Sequence, residues 1–373
     1  MKIMFNNLAK QWDIIKKDVS PKLEALFEKS DFIGGKAIEI FENNFANYCD
    51  VKYAAGVSNG TDALKLSLAA LNLKSPCGVL IPANTFIATV LAVKYLFNVK
   101  SDIALIDCDE YYQIDVNLLE SYLKENRKKW VSCVIIPVHL YGHPANMKQI
   151  LELAERYNCY ILEDSSQAHG AMVLNRKVGG IGDISAFSLY PGKNLGAAGD
   201  AGIITTNNED LFNKVKSLRN YGSSKKYYYD AIGWNNRLDT IQAIILNEKL
   251  KHLDKWNDAR IKVAKKFEDL LKNNKNIVIP KNAPYINKQV YHIYAIRVKN
   301  RDNFQSYLLE HGIPTVIHYP IPIQKTKPFK HLDFFNNKKT IKFAEELISL
   351  PIYPFLSEEE IEYISSITNN FFE

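Results

Sequence analysis

One lysine stands apart from the other basic residues of the chain. Lys193 follows a short apolar run, 184–189, and a Pro191-Gly192 turn, and Gly196 lies just beyond it. Glycines let a backbone approach a ligand closely, and a lysine held away from water loses its proton readily. Such an amine can attack a carbonyl group and form a Schiff base. A surface lysine in a glycine-rich loop would have the same pattern, so other residues must decide.

Three further side chains lie at the ends of other predicted strands. Asp164 and Gln167 follow the apolar run 159–162, and Phe86 follows the run 79–82. Pyridoxal phosphate is the commonest carbonyl that a lysine holds in a protein, and its ring needs an acid beside the pyridine nitrogen. A carboxylate about 4 Å from a partly buried cation is worth roughly 4 kcal/mol at an effective dielectric near 20, or about three pKa units. Asp164 suits that position, Gln167 suits the phenolic oxygen, and Phe86 suits the ring face.

A phosphate seat is predicted where residues 58–62 begin a helix. Gly60 and Thr61 lie at its start, and Leu64 and Leu68 mark its apolar face. Free N–H groups and the positive end of the helix dipole attract an anion there. Ser188, at the end of the run 184–189, can add a hydroxyl. Each of these residues also has an ordinary explanation, such as a helix cap or a strand serine, but together they favour a pyridoxal phosphate site.

The elements that would position these residues alternate between strand and helix. Predicted strands lie at 51–56, 79–82, 103–106, 133–138, 159–162 and 184–189. Helical spacing of apolar residues separates them, and the strands are continuously apolar, as in a sheet buried on both faces. The prediction is an α/β fold with a mostly parallel sheet and helices on both faces. Ligands in such folds bind beyond the carboxyl ends of the strands, where the residues above converge.

The chain is expected to form two domains. Residues 1–250 would form the large cofactor-binding domain with an N-terminal arm, and 251–373 a smaller α+β domain. A long helical pattern over 238–271 would join them, and 225–230 is predicted as a loop. In the smaller domain the patterns predict strands at 290–298 and 315–319 and helices at 304–311, 338–348 and 358–370.

Composition narrows the functional class. The 373 residues include 47 Lys and Arg against 41 Asp and Glu, a net charge of +6 without a long basic block. This pattern does not call for nucleic acid. The five cysteines are widely spaced and form no Cys-x-x-Cys, which favours a reducing compartment and argues against a zinc site. With no apolar run long enough for a membrane span, a cytoplasmic protein without a metal is expected.

Five stretches together carry a resemblance to a known family. They are 58–64, 161–171, 187–196, 218–222 and 233–239. Over about residues 7–355 the chain resembles the DegT/StrS-type nucleotide-sugar aminotransferases, a branch of the fold-type I pyridoxal-phosphate enzymes. The resemblance implies Lys193 as the Schiff-base lysine, Asp164 beside the ring nitrogen, Gln167 beside the phenolic oxygen and Phe86 on the ring. It implies phosphate contacts from Gly60, Thr61, Ser188 and Asn235, the last reaching in from the neighbouring subunit of a homodimer with shared active sites.

The resemblance also implies the reaction. Relatives with histidine at position 193 are dehydratases, so lysine there implies transamination, with L-glutamate as amino donor and a nucleotide-linked keto sugar as acceptor. Position 192 is Gly where many relatives have Thr. The segment 318–322 resembles the substrate loop of members that act on dTDP-3-keto-6-deoxyhexoses, which favours amination at C-3 for amino-sugar biosynthesis. The candidate substrate contacts are Arg219, Arg237, His318 and Tyr319, and Arg237 could equally be an interface residue.

Two other functions stay open at this point. One is a C-4 aminotransferase that acts on a UDP- or dTDP-linked 4-keto-6-deoxyhexose. The other is a relative that binds pyridoxal phosphate without catalysis and serves as a sensor or scaffold. The intact Lys193, Asp164 and Gln167 count against the second alternative.

Overall fold

An eight-stranded sheet forms the centre of the protein. The computed structural model describes residues 1–96, 99–336 and 338–373. The strands are β1 (Tyr53–Val57), β2 (Cys77–Pro82), β3 (Ser101–Ile106), β4 (Ser132–Ile135), β5 (Tyr160–Asp164), β6 (Met172–Val173), β7 (Arg176–Lys177), β8 (Ile184–Ser188), β9 (Gly202–Thr206), β10 (Ser223–Lys225), β11 (Tyr228–Tyr229), β12 (Ile277–Val278), β13 (Ile286–Lys288), β14 (Tyr294–Val298), β15 (Asp333–Phe335) and β16 (Leu347–Leu350).

Helices pack on both faces of the large sheet. The helices are α1 (Leu8–Lys29), α2 (Lys36–Cys49), α3 (Gly60–Ala70), α4 (Ile87–Lys94), α5 (Val116–Asn126), α6 (Met147–Tyr157), α7 (Glu209–Leu218), α8 (Thr240–Leu250), α9 (Leu253–Leu271), α10 (Arg301–Glu310), α11 (Lys338–Glu346) and α12 (Glu358–Asn370). In β2, Val79 and Ile81 join a core with α3 and α4, whereas Leu80 joins a core with α5 and α6. Both faces of the strand are therefore buried, which explains its continuous apolar sequence.

The sheet order is β1-β9-β8-β5-β4-β2-β3-β15. The pairs from β8 through β5, β4, β2 and β3 to β15 are parallel. Strand β9 pairs antiparallel with both β1 and β8, so it runs opposite to the described strands on either side of it. The predicted α/β fold with a mostly parallel sheet is confirmed, and the carboxyl ends of β2, β5 and β8 share one edge.

The C-terminal part has its own core. Strands β12, β14 and β16 form an antiparallel sheet, and side chains such as Phe267, Tyr294, Phe304 and Ile364 fill the space between this sheet and α9, α10 and α12. Ile3 joins the same core, and its backbone N–H donates to the Gly312 carbonyl at 3.0 Å. The N-terminal arm therefore packs against the C-terminal part, while a domain boundary at residue 250 stays a prediction.

Several predicted elements differ from the structure. The helical pattern over 238–271 is two helices, because apolar spacing continues across the break between α8 and α9 and gives no sign of it. Residues 315–319 form no strand beyond one bridge from Val316 to Ser349; prolines at both ends remove donors that a strand requires. The helix expected over 338–348 ends at Glu346, where β16 follows directly. Residues 225–230 contain the last residue of β10 and the whole of β11, which pair as a hairpin, rather than a loop alone.

Candidate active site

A cavity of about 890 Å³ opens at the carboxyl ends of the parallel strands. The predicted site residues that line it are Gly60, Thr61, Phe86, Asp164, Gln167, Ser188, Lys193, His318 and Tyr319. They come from the ends of β2, β5 and β8, from the start of α3 and from the C-terminal part of the chain. The topology thus brings together residues that are more than 250 positions apart in sequence.

Lys193 sits in a tight turn at this cavity. Its backbone N–H donates to the Tyr190 carbonyl at 2.8 Å, and Gly196 lies so close to the Pro191 carbonyl that a side chain there would clash with it. Burial lowers the pKa of the Lys193 amine from 10.5 to about 8, although the nearby Asp164 carboxylate opposes the change. About a tenth of this amine is therefore neutral, and hence nucleophilic, at pH 7.

Asp164 is held firmly at the end of β5. Its Oδ2 accepts from the Thr89 hydroxyl at 2.9 Å, and its Oδ1 accepts from the Ser166 N–H at 3.2 Å. Its backbone bonds to Pro137 and His139 on the adjacent segment, at 2.9 and 3.0 Å. The buried carboxylate keeps a fixed orientation, so it can pair with a protonated ring nitrogen placed in the cavity.

The neighbouring Glu163 anchors the same strand end. Its carboxylate accepts from the backbone N–H groups of Gly179, Ile181 and Gly182 at 2.8–3.1 Å and from the His139 ring. Burial acts to raise the Glu163 pKa, but these hydrogen bonds, led by that of His139, hold it below its ordinary value. Glu163 thus stays charged in the core and ties the segment before β8 to the end of β5.

Gln167, just after β5, connects residue 141 to residue 319 in the C-terminal part of the chain. Its Oε1 accepts from the Tyr141 N–H at 2.7 Å, and its Nε2 donates to the Tyr319 hydroxyl at 3.1 Å. The Tyr319 ring lies 5.5 Å from the ring of Phe86, which is 52% exposed to the cavity. One N–H of the Gln167 amide is left over, so the side chain can donate to a phenolic oxygen.

The start of α3 forms a cradle with the end of β8. Asn59 caps the helix, since its Oδ1 accepts from the Asp62 N–H at 2.8 Å. A Cβ added to Gly60 would lie 2.5 Å from the Ser188 Cβ and 2.9 Å from its Cα, so only glycine fits. The free N–H groups of the first turn and the Ser188 hydroxyl face the same cavity, an arrangement that fits a phosphate group. The residues present therefore fit pyridoxal phosphate at the ring and at the phosphate.

Three predicted residues do not line the cavity within this chain. The Arg219 guanidinium pairs with the Glu42 carboxylate and donates to the Gly56 carbonyl at 2.6 Å. The Arg237 guanidinium donates to the Asn220 side chain at 2.9 Å. Asn235 is exposed on the surface. Arg219 is thus already neutralised by an internal partner, and its expected substrate contact is not formed by this arrangement.

Asn236, the next residue after Asn235, is the one that points into its own chain. Asn236 is buried, and its Nδ2 donates to the Asp62 carboxylate at 2.7 Å. Its carbonyl accepts from the Ser58 N–H at 3.2 Å. Residues 233–239 therefore brace the phosphate cradle of their own chain through Asn236 and leave Asn235 pointing outward.

The sequence of the whole chain decides the family. The sequence model of the DegT/DnrJ/EryC1/StrS aminotransferase family matches residues 13–368. The chain belongs to this family. It is accordingly an enzyme that uses pyridoxal phosphate to transfer an amino group to nucleotide-linked keto sugars.

Three characterised relatives illustrate the range of sugars. The dTDP-3-amino-3,6-dideoxy-alpha-D-galactopyranose transaminase of Aneurinibacillus thermoaerophilus is 37% identical over 95% of this chain and 96% of its own. The dTDP-3-amino-3,4,6-trideoxy-alpha-D-glucose transaminase of Streptomyces venezuelae is 34% identical over 96% and 93%. The UDP-N-acetyl-3-dehydro-alpha-D-glucosamine 3-aminotransferase of Acidithiobacillus ferrooxidans is 35% identical over 95% and 93%.

Solved structures agree with this placement. DesV of S. venezuelae, crystallised in complex with a ketimine intermediate, superposes with a TM-score of 0.93 at 33% identity and covers 100% of this chain and 99% of its own. NtdA of Bacillus subtilis, crystallised with bound cofactor PMP, gives a TM-score of 0.85 at 27% identity and covers 98% and 84%. The predicted family, fold class and cofactor are confirmed.

Arg260 and His292 are among the lining residues that no pattern in the sequence marked as part of a site. Asn194 fixes the state of His292: its amide N–H groups donate to Asn257 at 2.8 Å and to the Val290 carbonyl at 3.1 Å, so its Oδ1 must accept. The His292 Nδ1, 3.0 Å from that oxygen, is therefore a donor, and Nε2 keeps a free lone pair. Burial holds the His292 pKa well below 6.5, so the ring is neutral.

The remaining expectations concern absences. Residues 1–96, 99–336 and 338–373 contain no group of three His, Cys, Asp or Glu side chains that could hold a metal ion. None of the helices in those ranges combines the length and the apolar character that a membrane crossing requires. A cytoplasmic location and the lack of a nucleic-acid partner stay predictions.

Proposed function

We propose that the enzyme transfers an amino group from L-glutamate to C-3 of a dTDP-linked 3-keto-6-deoxyhexose, for amino-sugar biosynthesis. The observation that carries this proposal is the contact between the segment 318–322 and the cofactor residues. The Tyr319 hydroxyl lies 3.1 Å from the Gln167 amide, and its ring lies against Phe86. A segment that resembles the substrate loop of members acting on dTDP-3-keto sugars thus borders the place where the sugar would react. The names of two relatives support the same substrate class.

The cavity residues divide the chemical work. Bound pyridoxal phosphate supplies an electron sink for the carbon next to the migrating amine. Lys193, whose pKa is about 8, can take a proton from that carbon and return it nearby, because an amine with a pKa near the working pH exchanges protons efficiently. Asp164 would hold the ring nitrogen protonated, Gln167 would bind the phenolic oxygen and Phe86 would cover the ring. Gly60, Thr61 and Ser188 would bind the phosphate.

We propose that the sugar lies in the part of the cavity lined by His318 and Tyr319, and that both side chains face it. The His318 Nδ1 bonds to the Ser349 hydroxyl at 2.8 Å, and burial lowers the His318 pKa to about 4. The ring is therefore neutral and can exchange hydrogen bonds with sugar hydroxyls without attracting the nucleotide phosphates.

The proposed assembly is a homodimer in which Asn235 completes the phosphate site of the partner. Its exposure supports this role, and so does the anchoring of the adjacent Asn236 in its own chain. Shortly before it in the sequence, the large side chains of Tyr227, Tyr228, Tyr229 and Ile232 are exposed. Exposed large apolar side chains that cluster on a surface commonly mark interaction sites. Arg237, near the same surface, would then serve the interface or the diphosphate of the partner's substrate.

The test separates the two half-reactions. Purified holoenzyme is treated with L-glutamate, freed of the donor, and mixed with 3-keto or 4-keto 6-deoxyhexoses linked to dTDP or UDP. Return of the original cofactor absorbance only with a dTDP-linked 3-keto sugar, together with an amino sugar in the mass spectrum, is the expected result. Return only with a 4-keto sugar would show that the enzyme aminates C-4. The variant Lys193→Ala is the control that should give no return with any sugar.

A further inference from the structure

A buried cation on the cavity wall has no acidic partner. Arg260 of α9 is 2% exposed, and it lines the cavity. Its Nη1 donates to the carbonyls of Ile352 at 2.8 Å and Tyr291 at 3.4 Å. In the part of the chain that the structure describes, no carboxylate forms a salt bridge with it. Two carbonyl dipoles hold the group in place but leave its full charge unneutralised.

The carboxylates that line the cavity do not neutralise Arg260, because they have other partners or lie at the rim. Asp164 faces Thr89 and the lysine amine. The Asp62 carboxylate pairs with Lys65 and accepts from the side chains of Ser58, Asn59 and Asn236. Asp200 is exposed at the rim. Burial lowers the Arg260 pKa from 12.5 only to about 10, so the guanidinium stays charged at neutral pH. A buried charge without a counter-ion is costly, and an anionic ligand would remove that cost.

His292 lies near both Arg260 and Lys193 in the lining of the cavity. The ring of His292 is close enough to both Arg260 and Lys193 for each charge to act on it. Its Nδ1–H is committed to Asn194, so its free Nε2 accepts rather than donates. The guanidinium is therefore the cationic donor of this wall, beside a neutral acceptor, and the phosphate cradle lies apart from it at the start of α3.

We propose that Arg260 binds a carboxylate of the amino donor. This inference rests on the proposed use of L-glutamate. A guanidinium binds a carboxylate through two parallel hydrogen bonds, and the depth of Arg260 suits a small anion better than a nucleotide diphosphate. The free Nε2 of His292, a residue on which both Arg260 and Lys193 act, can then accept from an N–H of the donor.

Glutarate tests the inference because it carries both carboxylates of the donor and no amino group. It would be titrated into the holoenzyme by calorimetry. Arg260→Lys keeps the charge but loses the planar fork, and we expect glutarate to bind about 10-fold more weakly. Arg260→Gln should weaken binding by about 30-fold or more. The matched control is Arg297→Lys, since Arg297 pairs with Glu346 and packs on Phe343, and the cavity lining does not include it.

Further titrations distinguish a role of Arg260 in donor binding from a role in nucleotide binding. Titration with dTDP should give the same affinity in wild type and Arg260→Lys; a loss confined to dTDP would assign Arg260 to the nucleotide and overturn the inference. Should Arg260→Gln fail to fold or retain cofactor, Arg260→Lys decides alone. If the wild type neither binds glutarate nor uses L-glutamate, the proposed donor is wrong. If it does both and Arg260→Lys binds glutarate as tightly, the inference alone is wrong.

Discussion

The lowered pKa of Lys193 predicts how the apoenzyme captures its cofactor. An amine reacts with an aldehyde only when it is neutral. With a pKa of about 8 instead of 10.5, Lys193 has roughly 300-fold more neutral amine at pH 7 than an exposed lysine. The cause is burial, which disfavours the charged form. The rate of cofactor capture should therefore increase with pH until the amine is fully neutral, with the midpoint of the increase near pH 8.

Stopped-flow mixing of apoenzyme with pyridoxal phosphate measures this rate from pH 6 to pH 10. The same reaction with N-acetyl-lysine methyl amide is the control. Its rate, divided by the fraction of the control amine that is neutral at each pH, gives the pH dependence of the cofactor itself. After division by that dependence, the rate constant of the apoenzyme should level off above about pH 9. Asp164→Asn should move the midpoint to lower pH, since the Asp164 carboxylate favours the charged amine. A rate that still climbs tenfold per pH unit at pH 10 would refute the account of Lys193.

Three further predictions test the site and the residues that support it. Asp164→Asn should reduce turnover by about 1000-fold, the equivalent of roughly 4 kcal/mol of lost charge pairing, as measured by steady-state kinetics with saturating cofactor. Gly60→Ala should raise the cofactor Kd by about tenfold or more, because the new methyl group would lie 2.5 Å from the Ser188 side chain. Gly192→Ala is the control and should change the Kd less than about twofold, since its methyl group makes only ordinary contacts at 3.5 Å. Equal effects of the two substitutions in equilibrium dialysis would contradict this prediction. Glu163→Gln should lower the free energy of unfolding by about 2–3 kcal/mol in urea titrations, because the amide cannot accept from all the N–H groups around it.

The sequence predicted the cofactor side of the site because its residues lie at strand ends. Apolar runs marked β2, β5 and β8, and the convergence of their carboxyl ends follows from the topology of parallel sheets. The antiparallel strand β9 was not predicted, although it completes the sheet between β1 and β8. Its sequence over 202–206 contains only two large apolar residues and gives no direction of pairing.

The cavity residues from the C-terminal part of the chain, Arg260 and His292, could not be predicted from strand ends. Arg260 lies in the middle of a long amphipathic helix, where an arginine usually faces water, and only the packing of α9 against residues 291 and 352 buries it. His292 interrupts an apolar run that leads into β14, and the nearby residues that fix its tautomer come from distant segments. Arg219 shows the opposite case: a motif residue that the fold pairs internally with Glu42.

One measurement addresses the central claim most directly, namely that Lys193 carries the cofactor. Borohydride reduction of the holoenzyme fixes the cofactor to its lysine, and peptide mass spectrometry then locates the added mass. A second buried lysine makes the test stringent: burial also lowers the pKa of Lys249 to about 8, and its amine donates to the Gly196 carbonyl behind the same loop. The account predicts a single modified peptide that contains Lys193. Modification at Lys249, or of several lysines equally, would contradict it.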